Sequence, residues 1–255
     1  MEIKGRTVII TGAGGTIGRA LAVEFGLNGA KVVCCGRNKD KLDETMKLIE
    51  KENGTGLAIT TDITKRSEVQ QMIKTSLERF GSIDFLFNNA ASFNSIAGIF
   101  EVDPKIWWDD VTTNLYGSLL LIREVLPHMI SRNEGIIINM NGGRPVGGSG
   151  YASSKAGLME LTRILVEELK IMKSSVMVFS AVPGLVRSEA TERQANTPAG
   201  QKWIPSTKET FESGKTRKPE EIAKATIQMI KIATPKLSGE SFGPDTDFSK
   251  LKKQC

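Results

Sequence analysis

Short apolar runs rich in β-branched residues alternate along the chain with longer stretches whose apolar residues recur at helical spacing. The runs are TVIIT at 7–11, KVVCC at 31–35, GLAITT at 56–61, IDFLFN at 83–88, GIIINM at 135–140 and SVMVFS at 175–180. Helical candidates fall at 17–28, 39–52, 66–80, 105–131, 152–173 and 219–233. Alternation of this kind predicts βαβ units and a parallel sheet. The strands read as nearly continuous apolar runs, as they do when helices cover both faces of a sheet. The expected fold is α/β, a doubly wound parallel sheet of about seven strands with helices on both faces. Its ligand belongs outside the carboxyl ends of the strands, where the strand order reverses.

A chain of 255 residues can bury one good core, and no repeat, low-complexity tract or break in composition marks a linker. A single domain over 1–255 is expected. The segment 185–217 has no clear periodicity and carries Pro198, Gly200, Pro205 and Gly214. So long a stretch in a compact domain is usually functional, and it is expected to form a substrate lid.

Composition removes several classes. Apolar residues make up 40% and charged residues 25%, within the range of a folded globular chain. The opening MEIKGRTVII runs straight into a strand without the pattern of a secretory signal, and no apolar stretch approaches the roughly 18 residues of a membrane span. A cytoplasmic protein without a membrane partner is expected. The net charge of +5 is dispersed, with no long basic run, so a field attracting an anionic cofactor or substrate is preferred over nucleic-acid binding.

Cys34 and Cys35 are adjacent in a strand, where their side chains point to opposite faces, and Cys255 is terminal; this suits neither a disulfide framework nor a zinc site. Cys255 also lacks the prenylation spacing. His128, the only histidine, is expected at the surface, and no metal is expected. Of Trp107 and Trp108, which point different ways on a helix, one is expected in the core.

After the first strand, Thr11-Gly12-Ala13-Gly14-Gly15-Thr16-Ile17-Gly18 runs into a helix. Glycines there permit a tight turn and close approach of the backbone to a pyrophosphate, whose charge faces the helix N-terminus. The second strand ends at Gly36-Arg37, where an NAD-binding chain usually carries an acid for the ribose hydroxyls. Arg37 instead offers a guanidinium fork suited to a 2′-phosphate, which favours NADP over NAD; it also simply precedes Asn38, a good helix N-cap. Asp62 could accept from an adenine amino group or make a turn. Asn88-Asn89-Ala90 ends the fourth strand, either lining a cleft or closing a turn. Tyr151 and Lys155, four residues apart, share one helical face at the cleft end of the sheet.

Together these motifs resemble the short-subunit branch of the short-chain dehydrogenase/reductase family, over almost the whole chain from Lys4 to about Gly243. The resemblance implies a Rossmann fold that binds NADP, with NAD the lesser choice, and moves a hydride between nicotinamide and a carbonyl or alcohol. It assigns Gly12, Gly14, Gly15, Thr16, Ile17 and Gly18 to the cofactor turn and Asp62 and Ile63 to the adenine side, beside the 2′-phosphate expected at Arg37. Asn88-Asn89-Ala90 is implied as the motif that steadies the central sheet, with Asn89 and Ala90 expected near the cofactor, while Pro183, Gly184 and Val186 are expected beside the nicotinamide. Tyr151 is implied as proton donor, Lys155 as the cation that activates it and holds the ribose, and Asn114 as the residue ordering a water. A homo-oligomer, expected as a tetramer, is also implied, and the apolar residues spread around 152–173 leave positions for a partner helix.

Three departures from the family pattern stand out. Thr16 replaces a glycine of the cofactor turn, and Ala91 replaces the glycine after Asn88-Asn89-Ala90. More seriously, no serine follows the fifth strand to bind the substrate oxygen; the chain reads Asn139-Met140-Asn141-Gly142-Gly143-Arg144-Pro145. Asn141 is expected to supply that donor, with Ser149 as the second choice. The alternative is an NADP-binding regulatory or scaffold protein that has lost turnover.

Overall fold

The computed structural model describes residues 1–253; Cys255 lies outside them. The chain alternates β1 (Thr7–Thr11), α1 (Thr16–Leu27), β2 (Lys31–Gly36), α2 (Lys39–Lys51), β3 (Thr55–Thr60), α3 (Arg66–Phe80) and β4 (Phe85–Asn88). It continues through α4 (Pro104–Val111), a π-helical turn (Thr112–Tyr116), α5 (Gly117–Arg132), β5 (Ile136–Met140), α6 (Ser149–Ile171) and β6 (Met177–Ala181). Three short helices follow, α7 (Glu189–Asn196), α8 (Pro198–Trp203) and α9 (Pro205–Glu212), then α10 (Pro219–Ile232), β7 (Ser241–Phe242) and α11 (Phe248–Lys252).

The seven strands are all parallel in the order β3-β2-β1-β4-β5-β6-β7, so the order reverses between β1 and β4. Every residue of β1, β4, β5 and β6 is buried, which explains why these strands lack a polar alternation. Cys34 belongs to the core on one side of the sheet, with Phe25 and Ile222; Cys35 belongs to the other, with Leu86 and Leu121. Both thiols are free and buried. β7 pairs only through Ser241 and Phe242, too few residues to register as an apolar run.

Two elements differ from the expectation. The single helix anticipated at 105–131 is broken by the π-helical turn, whose extra residue per turn re-aims the side chains around Asn114. The aperiodic segment 185–217 is largely helical, each piece too short to show a period. Ser188 and Thr197 cap the first two pieces through their side chains, and Pro198 and Pro205 start the second and third. Among the described residues no helix is long and apolar enough to cross a membrane.

Candidate active site

At the reversal point the carboxyl ends of β1, β2 and β3 open into a cleft of about 710 Å³. Its walls include Gly12, Gly14, Gly15, Thr16, Ile17 and Gly18 from the glycine turn, Arg37, and Asp62 and Ile63 from the loop after β3. Asn89 and Ala90 complete the β4 side. Gly12 has φ of +67°, and a Cβ on Gly18 would stand 2.1 Å from the Gly12 carbonyl oxygen, so neither position admits a side chain without moving the turn. Gly15 is the N-cap of α1, with Thr16 its first residue, and the unpaired N–H groups of that helix end face the cleft. Asn89 locks the turn to β4 by donating to the Thr11 carbonyl at 2.8 Å.

Asp62 lines the cleft and makes the turn that its sequence context suggested, accepting from the Thr64 amide at 3.0 Å and hydroxyl at 2.7 Å. Burial pulls its pKa upward, but the Thr64 bonds and the charges of Lys65 and Arg37 outweigh that and hold it below the usual carboxylate range. Arg37 is exposed at the end of β2. Lys41, in the first turn of α2, forms a 2.7 Å ion pair with Glu189 of α7.

Tyr151 and Lys155 sit one turn apart near the start of α6. Lys155 is buried and donates to the Met140 carbonyl at 2.7 Å, with its Nζ 5.6 Å from the centre of the Tyr151 ring. Burial pushes the Tyr151 hydroxyl up to about 12 and the Lys155 ammonium down to about 8, because each charged form is disfavoured away from water. Asn114 is fully buried on the π-helical turn; its amide donates to the Ser92 carbonyl and to Ser154 Oγ, both at 2.9 Å. Ser154 precedes Lys155, so Asn114 braces the helix that carries the pair.

Pro183, Gly184 and Val186 follow β6 but are not among the cleft walls, and neither are Tyr151, Lys155 and Asn114. The link between the two groups is Phe93, which lines the cleft and stacks on Tyr151 with ring centres 4.5 Å apart.

The side chain of Asn141, the expected second donor, is buried, and its amide donates to Ser180 Oγ at 3.0 Å, tying β5 to β6. The residue against the Tyr151 hydroxyl is Gly142, where a Cβ would lie 2.2 Å from the phenolic oxygen. Ser149 accepts from the Trp107 indole at 3.1 Å. His128 lies partly exposed at the surface, and its Nε2 accepts from the Ile83 amide at 3.2 Å. Trp107 is partly buried and Trp108 exposed. Sequence reasoning missed Lys41, Phe93, Asp110 and Glu189. Each meets its partner across more than a dozen residues of chain, a distance that leaves no periodic trace.

The family model described as short chain dehydrogenase matches residues 6–199. An NADPH-dependent pterin aldehyde reductase of Arabidopsis thaliana is 31% identical over 191 residues, covering 73% of this chain and 77% of its own. The 3-oxoacyl-(acyl-carrier-protein) reductase FabG of Thermotoga maritima is 27% identical over 250 residues, covering 96% and 98%. Among solved structures, an NAD⁺-bound xylitol dehydrogenase has a TM-score of 0.84 at 20% identity, covering 95% of this chain and 98% of its own. An actinorhodin polyketide ketoreductase variant with NADPH gives 0.84 at 24%, covering 95% and 96%. At these identities the structural likeness bears on the fold alone.

Proposed function

The chain belongs to the short-chain dehydrogenase/reductase family, oxidoreductases of CH–OH and C=O groups that use a nicotinamide cofactor, and within it we propose an NADPH-dependent reductase of a small to medium carbonyl substrate. The observation that carries this reading is the pairing of partly buried Tyr151 with buried Lys155, joined through Phe93 to a cleft that is lined with glycine and has Arg37 at its rim.

The residues present fit the cofactor. A Cβ at Gly12 or Gly18 would crowd Ala90 or the Gly12 carbonyl, so the turn keeps its tight backbone there, and the start of α1 offers N–H groups to the charge of a pyrophosphate. Arg37 would take the 2′-phosphate by its fork, and Asp62 and Ile63 would meet the adenine. Asn89 and Ala90 would flank the middle of the molecule, and Pro183, Gly184 and Val186 its nicotinamide end. When bound, NADPH supplies the hydride that reaches the carbonyl carbon.

Tyr151 then gives its hydroxyl proton to the carbonyl oxygen as that oxygen gains charge; in the oxidative direction it takes the proton back. An apolar pocket keeps the phenol neutral and ready to donate. Lys155, even with its pKa lowered to about 8, is mostly charged at neutral pH and stabilises the phenolate left behind. Asn114 uses both amide hydrogens within the protein, so its part is to hold the Tyr151 helix in register. The helices of 185–217 would close over the substrate, with Trp203 filling the space left by Gly98 and Gly147.

A second reading, an NADP-binding protein without turnover, is favoured by one observation: Gly142 brings no hydroxyl to the Tyr151 oxygen. Steady-state oxidation of NADPH against a panel of ketones and aldehydes separates the two. Turnover that disappears in Tyr151→Phe while NADPH affinity stays within a few-fold supports the reductase. NADPH binding with no turnover on any compound supports the second reading.

A further inference from the structure

Asp110, in the last turn of α4, is fully buried. Its carboxylate accepts from four donors on one short segment: the Ser92 hydroxyl at 2.5 Å, the Asn94 amide at 3.0 Å, and the Ser95 amide and hydroxyl at 2.9 and 2.6 Å. No cation is among them. A carboxylate hidden from water is sustained only by such a convergence of donors, so the segment and the acid hold each other in a single arrangement. Asn114, one helical turn later, grips the same segment, accepting from the Ser92 amide at 2.6 Å and donating to its carbonyl at 2.9 Å.

Inside this clamp lies Phe93, the one residue of Ser92–Ser95 whose side chain and amide make no bond to Asp110. Its ring lies on that of Tyr151 at a 4.5 Å centre separation, inclined by 12°. Two glycines at the start of α6 make the room: a Cβ on Gly148, its N-cap, would stand 2.6 Å from the Phe93 ring, and one on Gly150 in its first turn would stand 2.6 Å from Ser95 Oγ.

We propose that Asp110 is a positioning residue for Tyr151: by tying down Ser92–Ser95 it seats the Phe93 ring as a cap on one face of the phenol. The inference rests on Tyr151 being the proton donor. The cap excludes water from that face, in keeping with the raised pKa of the phenol, and obliges a carbonyl to approach the hydroxyl from the uncovered side. The surroundings keep the effect readable. Among the described residues Lys155, at 5.6 Å from the ring centre, is the charged group set against Tyr151; Gly142 and Phe93, on the other packed segments, carry no charge.

The test uses phenolate absorbance, which requires no turnover. The chain has two tyrosines, so in a Tyr116→Phe background the titration reports Tyr151 alone. Phe93→Ala and Asp110→Asn are each expected to bring the phenolate on earlier by about one pH unit or more. The double variant is expected to move no further than Phe93→Ala, because Asp110 acts through that ring. An unmoved midpoint in Asp110→Asn, or a shift that adds to that of Phe93→Ala, overturns the proposal. Should Asp110→Asn fail to fold, Ser95→Ala and Phe93→Leu carry the same expectation, and unmoved midpoints in both overturn it. Because the readout is independent of catalysis, an absence of carbonyl reduction counts against the proposed function and leaves this result standing.

Discussion

Lys41 Nζ lies 2.7 Å from Glu189 Oε2, so an ion pair joins the first turn of α2 to the first turn of α7 across the mouth of the cofactor cleft. Both side chains are well exposed, and such a pair adds little to stability in water. Its interest lies in its place. Glu189 puts a carboxylate on the wall where Arg37 would meet a 2′-phosphate, and it occupies the neighbouring cation.

Glu189→Gln is therefore expected to tighten NADPH binding by about fivefold, the equivalent of one exposed ion pair, while NADH binding stays nearly constant. The gain should fade in high salt. Fluorescence titration of both cofactors at two ionic strengths measures it; weaker NADPH binding in the variant contradicts it.

Arg37→Ala is expected to weaken NADPH by about 10-fold to 100-fold, the range for a charged hydrogen bond, and to leave NADH alone. The same titration decides. A variant that keeps the preference of the parent removes Arg37 from the 2′-phosphate site.

The strands and the framework helices were legible because each is a run whose period reports its surroundings. Ile136–Met140, buried throughout, reads as a continuous apolar run, and Arg66–Phe80 shows its boundaries outright. β7 was not located, since two residues carry no period, and α7–α9 were hidden because each has only a turn or two. At the site, Tyr151 and Lys155 could be paired from their spacing on one helix. Phe93 could not, because its contact with Tyr151 depends on how the loop after β4 meets the start of α6. The surroundings of Asn141 were hidden for the same reason: its type suits a donor, and only the fold shows its amide turned to Ser180 and Gly142 against the phenol.

Lys155→Met is expected to stabilise the fold at neutral pH even as it removes turnover. The pKa of the buried ammonium falls from 10.5 to about 8, a shift corresponding to roughly 3 kcal/mol of cost that the unfolded chain does not bear. Since the folded value lies below the unfolded one, the unfolded state holds more protons between pH 8 and 10.5. The stability of the parent therefore rises through that window and is lowest below it. Denaturant unfolding at neutral pH should favour the variant by about 1 to 3 kcal/mol, allowing for the lost bond to Met140, and the difference should shrink above pH 10. A variant less stable than its parent at neutral pH would show that the ammonium is better solvated than its burial implies.

The helices α4 to α6 leave Trp108, Leu119, Met159 and Ile164 exposed, more apolar surface than one buried stripe requires. A homotetramer is expected in which α5 and α6 face a second copy. Light scattering should find it at micromolar concentration, and Ile164→Glu with Met159→Glu should shift it towards smaller species. Monomer alone in the parent chain refutes the expectation.

Gly142 makes the sharpest demand on a side chain. A Cβ there would lie 2.2 Å from the Tyr151 oxygen, far inside contact distance, so Gly142→Ala must displace the phenol or the loop. Turnover is expected to fall at least about tenfold, as misplacing a reacting group does, with NADPH affinity kept because the glycine turn is elsewhere. Gly142→Ser meets the same clash, so adding a hydroxyl at this position should not raise turnover. Asn141→Ala removes only the bond to Ser180 and should cost about 1 kcal/mol of stability, with turnover within a few-fold of the parent. Steady-state kinetics on the three variants tests the ordering. A large loss in Asn141→Ala together with a small one in Gly142→Ala would return the second donor to the Asn141 amide and show that the loop rearranges when substrate binds.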